Sequence, residues 1–462
     1  MPGLNIRLLS VIAMVMSLSV TACTEKLSVE VDSSEKISDT AGGFDGQLSD
    51  GDQFGASVTN LGDLEVDGVT DLVVGAPFDD DGGTDRGAVW VLFMNSDGRV
   101  DIFQKISDQQ GGFNSVLDNG DQFGSAVGAL GDLNLDGFRD LVVGAPGDDD
   151  AGPDTGAVWL LFLNADGTVR LYQKISNQEG GFGDNLNDGD RFGTAVADIG
   201  DLNNDGIDDL AVGAPYDDDG GANRGAVWVL FMNNDGTVST HQKISFTAGG
   251  FGGNLENDYR FGSAVTAVGD IDGNGVIDLA VGTPGDDDGG TDRGAVWLLL
   301  MRADGTVVDQ QKLSQNSGDF DGTLADGDAF GSAVAGIGDI DGDGHPDLAV
   351  GADGNDDGGN NRGAVWILFL RGSGKVNSSS RISDIQGNFK GALSDNDQFG
   401  VAVADIGDLD GDGVKDIVTG ANMDDDGGTD RGALWVLFMR KPKTDVVSDP
   451  NVGLGELFGG RR

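Results

Sequence analysis

The sequence predicts an all-β fold, a six-bladed β-propeller with four antiparallel strands per blade. Three observations carry that prediction. A 69-residue unit repeats without a slip, marked by Phe54, Phe123, Phe192, Phe261, Phe330 and Phe399 and by Trp90, Trp159, Trp228, Trp297, Trp366 and Trp435. A long, strict period signals a repeat architecture. Within each unit the apolar runs are short, β-branched and separated by glycine-rich turns, with no helical periodicity. Each unit contains four such runs, and a radial array of four-stranded sheets is the arrangement that buries them.

In the first unit the first strand lies around FGASV, the second is DLVVGA and the third is GAVWVLFM. A fourth follows an Asp-Gly turn, as in Asn164-Ala-Asp166-Gly167 before TVRLYQKIS. Asp-Gly between apolar runs is a strong hairpin signal. The second and third strands are nearly continuous apolar runs, the pattern of strands covered on both faces. Trp90 and its equivalents, and the Phe of each FG, are therefore assigned to the core and not to sugar stacking. The glycines fall in phase with the strands, which marks turns and close approaches and not low complexity.

Between the first and second strands lies a nine-residue acidic loop. Its side-chain oxygens stand at positions 1, 3, 5 and 9: Asp63, Glu65, Asp67 and Asp71; Asp132, Asn134, Asp136 and Asp140; Asp201, Asn203, Asp205 and Asp209. The later units give Asp270, Asp272, Asn274 and Asp278; Asp339, Asp341, Asp343 and Asp347; Asp408, Asp410, Asp412 and Asp416. Gly at position 6 allows a turn sharp enough for them to converge. Hard oxygen ligands in this number suit Ca²⁺, which takes about 6–8 oxygens, better than Mg²⁺, which keeps its waters. No loop holds a Cys, and the one loop histidine, His345 before Pro346, is expected to face water, so zinc and copper are not expected. Position 12 is Val74 and not Glu, which excludes an EF-hand. The alternative, an Asx-rich turn without metal, loses force because the pattern recurs in all six units.

The termini carry their own signals. Residues 1–23 read as a signal peptide: Arg7, an apolar run Leu8–Val20, then Val20-Thr21-Ala22-Cys23. The run is short for a membrane span. Its end resembles a bacterial lipobox, with Cys23, the sole cysteine, as the acylated residue; ordinary cleavage after Ala22 is the alternative. Disulfides are excluded. Residues 24–35 are a tether that begins a closing strand, 36–440 hold the six repeats, and 441–462 are a loose tail. The last repeat lacks a convincing fourth strand, while LSVEVDSSEKIS aligns with the fourth-strand text TVRLYQKIS. Residues 27–38 are therefore expected to complete the last blade and leave no open edge.

Phe-Gly-x-Ser/Ala-Val, then Asp-x-Asn/Asp-x-Asp-Gly-x-x-Asp-Leu, then Val-Gly-Ala-Pro, then Gly-Ala-Val-Trp resembles the FG-GAP repeat of the integrin alpha-chain propeller. The likeness covers about 36–440. It implies a propeller with calcium in the loops between first and second strands, and a link to adhesion or extracellular recognition. This chain departs from that family by having six repeats where integrins have seven blades, and an acidic loop in every repeat. The Pro of the GAP segment is lost at Asp353 and Asn422, and its Ala is Thr283.

The formal net charge is −51. Such a chain repels nucleic acid and anionic membrane and favours cations or basic partners. A second acidic loop, Asp79-Asp80-Asp81-Gly82-Gly83-Thr84-Asp85-Arg86, recurs between second and third strands, on the face opposite the nine-residue loops. Two readings stay open for it: a solvated loop with local Asp–Arg pairing, or a functional one, further cation binding or a site for a basic partner. The function expected is a calcium-binding, lipid-anchored or secreted surface module for adhesion or recognition of a protein or glycan, with a basic ligand favoured by charge. Contact with a membrane would run only through Cys23. The alternatives are a polysaccharide-acting or other secreted enzyme built on a propeller, and a passive structural surface protein. Catalysis would require an unrepeated group of acid, base or nucleophile, and the departures from repeat symmetry form none.

Overall fold

The computed structural model describes residues 25–183 and 186–446. The expected signal peptide, with Cys23, and the end of the expected tail lie outside the described residues.

Six four-stranded antiparallel sheets form. The first blade holds Ser57–Gly62, Asp71–Ala76, Ala88–Met94 and Val100–Ile106. The second holds Ala126–Ala129, Asp140–Ala145, Ala157–Leu163 and Val169–Ile175, and the third Ala195–Asp198, Leu210–Ala214, Ala226–Met232 and Val238–Ser245. The fourth holds Ala264–Gly269, Asp278–Thr283, Ala295–Met301 and Val307–Ser314, and the fifth Val334–Gly338, Asp347–Ala352, Ala364–Leu370 and Val376–Ser383. The sixth takes Val403–Gly407, Asp416–Ala421 and Ala433–Met439 from the end of the chain and Val31–Ser38 from its beginning. The register runs from Val31 opposite Met439 to Ser38 opposite Ala433.

The expected closure is thus observed, with its strand starting at Val31 and not at Leu27. The residues just before it do something else: Glu25–Ser28 pairs with Lys443–Val446 in a separate two-stranded ribbon. Paired structure therefore continues past Lys441, where the sequence suggested a loose tail.

Burial explains the strand order. The second and third strands of the first blade are buried throughout, as their apolar text demands. Each core cluster joins two neighbouring blades. One packs Leu72, Trp90 and Leu92 of the first blade against Val418, Leu434 and Val436 of the sixth, so the last interface matches the other five. The repeated Phe and Trp meet inside these clusters. Phe44 stacks on Phe54 at 5.0 Å and meets Trp90 edge-on at 5.2 Å. The trio recurs as Phe113, Phe123 and Trp159, and onward to Phe389, Phe399 and Trp435.

Glycine is required where blades touch through backbone. A Cβ on Gly75 would lie 1.9 Å from the carbonyl oxygen of Gly124 in the next blade, and one on Gly420 would lie 2.0 Å from that of Gly55. No side chain fits there. The first strands line the axis, and an internal cavity of about 230 Å³ there is lined by Asn60, Asp198 and Asp405 among small residues.

Candidate metal centre

Each nine-residue loop is folded by its own first and fifth residues. Asp63 accepts hydrogen bonds from the amides of Asp67 at 2.9 Å and Gly68 at 2.8 Å. Asp67 in turn accepts from the amide of Val69 at 2.8 Å. The same bonds recur around Asp201 and Asp205. These are Asx turns, local side-chain bonds that replace a backbone ladder. Gly68 at position 6 has φ 95°, as the sharp turn requires. Position 4 is also left-handed: Val66 at 63° and Leu135 at 60° stand where the last three loops have Gly273, Gly342 and Gly411. Sequence reasoning missed that position, although the glycines in three repeats signalled it.

Position 9 anchors the loop to the blade. Asp71 is fully buried; it accepts from the amide of Leu64 at 2.8 Å and, across the sheet, from that of Met94 at 3.1 Å. Asp209, Asp278, Asp347 and Asp416 each make both bonds. Asp140 keeps only the first, from Leu133, and its Oδ1 is buried without a hydrogen-bond partner.

Burial raises the affinity of all six for a proton. Desolvation first, and the neighbouring loop carboxylates in addition, push Asp71, Asp278 and Asp416 up to about 6. The same causes push Asp140, Asp209 and Asp347 up to about 7. A site that pays to keep its carboxylates ionised is one a cation would relieve.

The structure brings the expected residues together unequally. In the last three loops, carboxylate oxygens of positions 1, 3 and 9 lie within 4.8 Å of one another: Asp270, Asp272 and Asp278; Asp339, Asp341 and Asp347; Asp408, Asp410 and Asp416. These groups could hold a metal ion. Among the described residues the first three loops form no such carboxylate group; their position 3 is Glu65, Asn134 or Asn203. The donor set still fits a hard cation, because the Oδ1 atoms of Asn134, Asp140 and Asn203 are buried oxygens with no hydrogen-bond donor. Position 5 serves the turn. Asn274 in addition donates to the carbonyl of Met301 at 3.1 Å, which places the loop at the same end of the blade as the third-strand terminus.

The opposite acidic loops already hold a cation of their own. Lys105 Nζ lies 2.7 Å from Asp79 and 2.8 Å from Asp81, and 5.1 Å from the centroid of the Trp90 ring. Lys36, Lys174, Lys243 and Lys312 repeat this over Trp435, Trp159, Trp228 and Trp297. In the fifth blade the lysine becomes Arg381 and the first aspartate becomes Asn355, while Asp357 still pairs with the cation at 3.1 Å. Of the two readings open for these loops, pairing within the protein is what the geometry shows. The loop arginines also pair, but with connectors to the next blade: Arg86 reaches Asp108 at 2.6 Å, and Arg431 reaches Asp39 at 2.6 Å and Asp50 at 2.9 Å.

Units that open on Phe-Gly and run through these strands place the chain in the FG-GAP class. The FG-GAP repeat model matches residues 54–92, 123–161, 192–230, 261–299 and 330–368. The sixth unit, from Phe399, forms the same three strands. The chain is an FG-GAP repeat protein, and its propeller resembles the N-terminal propeller of integrin alpha chains. It is 33% identical over 250 residues to Integrin alpha pat-2 of Caenorhabditis elegans, a match covering 50% of this chain and 18% of the relative. It is 32% identical over 243 residues to Integrin alpha-5 of Xenopus laevis, covering 52% and 20%. It is 35% identical over 168 residues to Phosphatidylinositol-glycan-specific phospholipase D of Bos taurus, covering 36% and 19%. The chain thus spans about a fifth of the length of these relatives.

Proposed function

We propose that the chain is a calcium-binding recognition or adhesion module of the cell exterior, displayed on a rigid ring. The observation that carries the reading is the convergence of three carboxylates, one of them fully buried, in each of the last three loops. Asp, Asn and Glu at positions 1, 3, 5 and 9 of each loop would hold Ca²⁺. The ion would supply structural charge neutralisation, fixing loops whose own carboxylates repel at a few ångström. The integrin alpha relatives support an adhesive or recognition role, and the charge of −51 favours a basic protein or glycan ligand.

The test is capture from a cell-surface extract, with and without calcium, followed by calorimetric titration of the purified chain with Ca²⁺. Calcium-dependent capture of a defined partner together with several metal sites supports the reading. No heat of binding at millimolar Ca²⁺ refutes the metal half, and equal capture with and without calcium refutes its link to recognition. The lipid anchor belongs to the same proposal. Cys23→Ser should move the protein from the membrane fraction to the soluble one, and a wild-type chain already soluble would refute the anchor.

A further inference from the structure

The six loops share a ligand pattern, yet one position near the start of the fourth strand, the one held by Arg170 in the second blade, differs from repeat to repeat. It stands three residues after the turn glycine and is Asp101, Arg170, Ser239, Val308, Asn377 or, in the closing strand, Asp32. In the second blade the Arg170 guanidinium pairs with Asp136, the position-5 carboxylate of the loop. That blade is also the one in which Asp140 leaves an oxygen buried and unpartnered, while both side-chain polar atoms of Asn134 are buried without partners. In the first blade the sign is reversed. Asp101 occupies there the position that Arg170 holds in the second blade, so it brings a negative charge where the second blade has a positive one. Asp32 has its own counter-charge, with Arg440 at 2.6 Å. The other three residues are neutral.

We propose that this fourth-strand position sets the calcium affinity of each loop, and that Arg170 makes the second loop the weakest of the six by holding a cation where the metal must displace it. The inference rests on the calcium reading above. Arg170 is a charge-setting residue that acts through Asp136; a guanidinium has no lone pair to offer a cation. Its side chain is 42% exposed, so the effect is that of a solvent-screened charge, about threefold to tenfold in affinity.

Hydrogen–deuterium exchange of the full chain, read by mass spectrometry across a series of free Ca²⁺ concentrations, resolves the loops separately. The midpoint for residues 132–140 should lie at higher calcium than that for 270–278. Arg170→Gln should lower the 132–140 midpoint threefold to tenfold and leave 270–278 unmoved. Arg170→Lys, which keeps the charge, should stay near wild type, and Asp101→Arg should raise the midpoint of 63–71. An unchanged 132–140 midpoint in Arg170→Gln, or a lysine variant that behaves like the glutamine one, overturns the proposal. If no loop responds to calcium in any variant, the metal reading itself fails and this inference falls with it.

Discussion

Removing the closing strand should break the ring open. A chain beginning at Asp39 loses Val31–Ser38, and with it the ladder from Val31–Met439 to Ser38–Ala433. Three apolar side chains go too: Val29, Val31 and Ile37, exposed by only 4%, 1% and 0%. Each is worth about 1.5–3 kcal/mol when fully buried, so about 6 kcal/mol is lost before the hydrogen bonds are considered. The Lys36 contacts to Asp424 and Asp426 vanish as well, leaving Asp424 buried and unpaired. A domain is typically stable by about 5–15 kcal/mol, so the loss approaches the whole. The strand Ala433–Met439, buried throughout, would become a long apolar edge of the kind that aggregates. The assay is urea unfolding and size-exclusion chromatography of three chains: one starting at Thr24, one starting at Asp39, and one ending at Val446. The second should aggregate or unfold at much lower urea, and the third should match the first. Ile37→Ala in the intact chain should cost about 2–5 kcal/mol. If the chain starting at Asp39 unfolds at the same urea concentration as the chain ending at Val446, strand exchange does not hold the ring together.

Two further predictions follow from the charges. The six position-9 aspartates bind protons more tightly folded than unfolded, so the metal-free protein should lose stability as pH rises from about 4 to 7 and level off above. A rise from 3.8 to about 6, as at Asp71, corresponds to about 3 kcal/mol. Buried connectors such as Asp52, pushed up to about 7 by desolvation first, add to the same trend. Saturating Ca²⁺ should remove the loop share and leave the connector share, and melting curves from pH 4 to 8 that coincide with and without metal would refute the loop contribution. On the opposite face, Lys105→Met should cost about 3 kcal/mol in urea unfolding because Asp79 is left buried without its counter-ion. A cost under about 0.5 kcal/mol would show the pair to behave like an exposed one.

The repeat made most of this legible. Phe54 and Trp90 recur in phase, and a residue that recurs in phase beside a β-branched run has one place to go, the seam between blades. The nine-residue loops were legible because ligand spacing is local. What the sequence hid depends on contacts between distant segments. Lys105 stands in the motif QKIS, in phase with Asp79-Asp80-Asp81, but the pairing shows only once the fourth strand and the loop before the third are known to share an end of the blade. The start of the closing strand was hidden because Leu27-Ser28-Val29 alternates as a strand in either of two pairings. Folding used both: Glu25–Ser28 against Lys443–Val446, and Val31–Ser38 against Ala433–Met439. The difference between Asp140 and its five counterparts leaves no mark on its own text, since Asp-Leu-Val-Val-Gly-Ala is the same in the first two repeats.

The glycine contacts between blades have a consequence for where such a chain can begin. A Cβ on Gly420 would meet Gly55 at 2.0 Å and one on Gly75 would meet Gly124 at 1.9 Å, so the seam between the sixth and first blades is built like the one between the first and second. The sixth blade closes all the same without a turn joining its third strand, Ala433–Met439, to its fourth, Val31–Ser38, so covalent continuity within a blade is incidental to the ring. A circularly permuted chain, cut in the turn between Met94 and Val100 and joined through its old ends, would exchange the fourth strand of the first blade instead and make the same six seams. The repeat thus behaves as a token that can be dealt from any point of the circle.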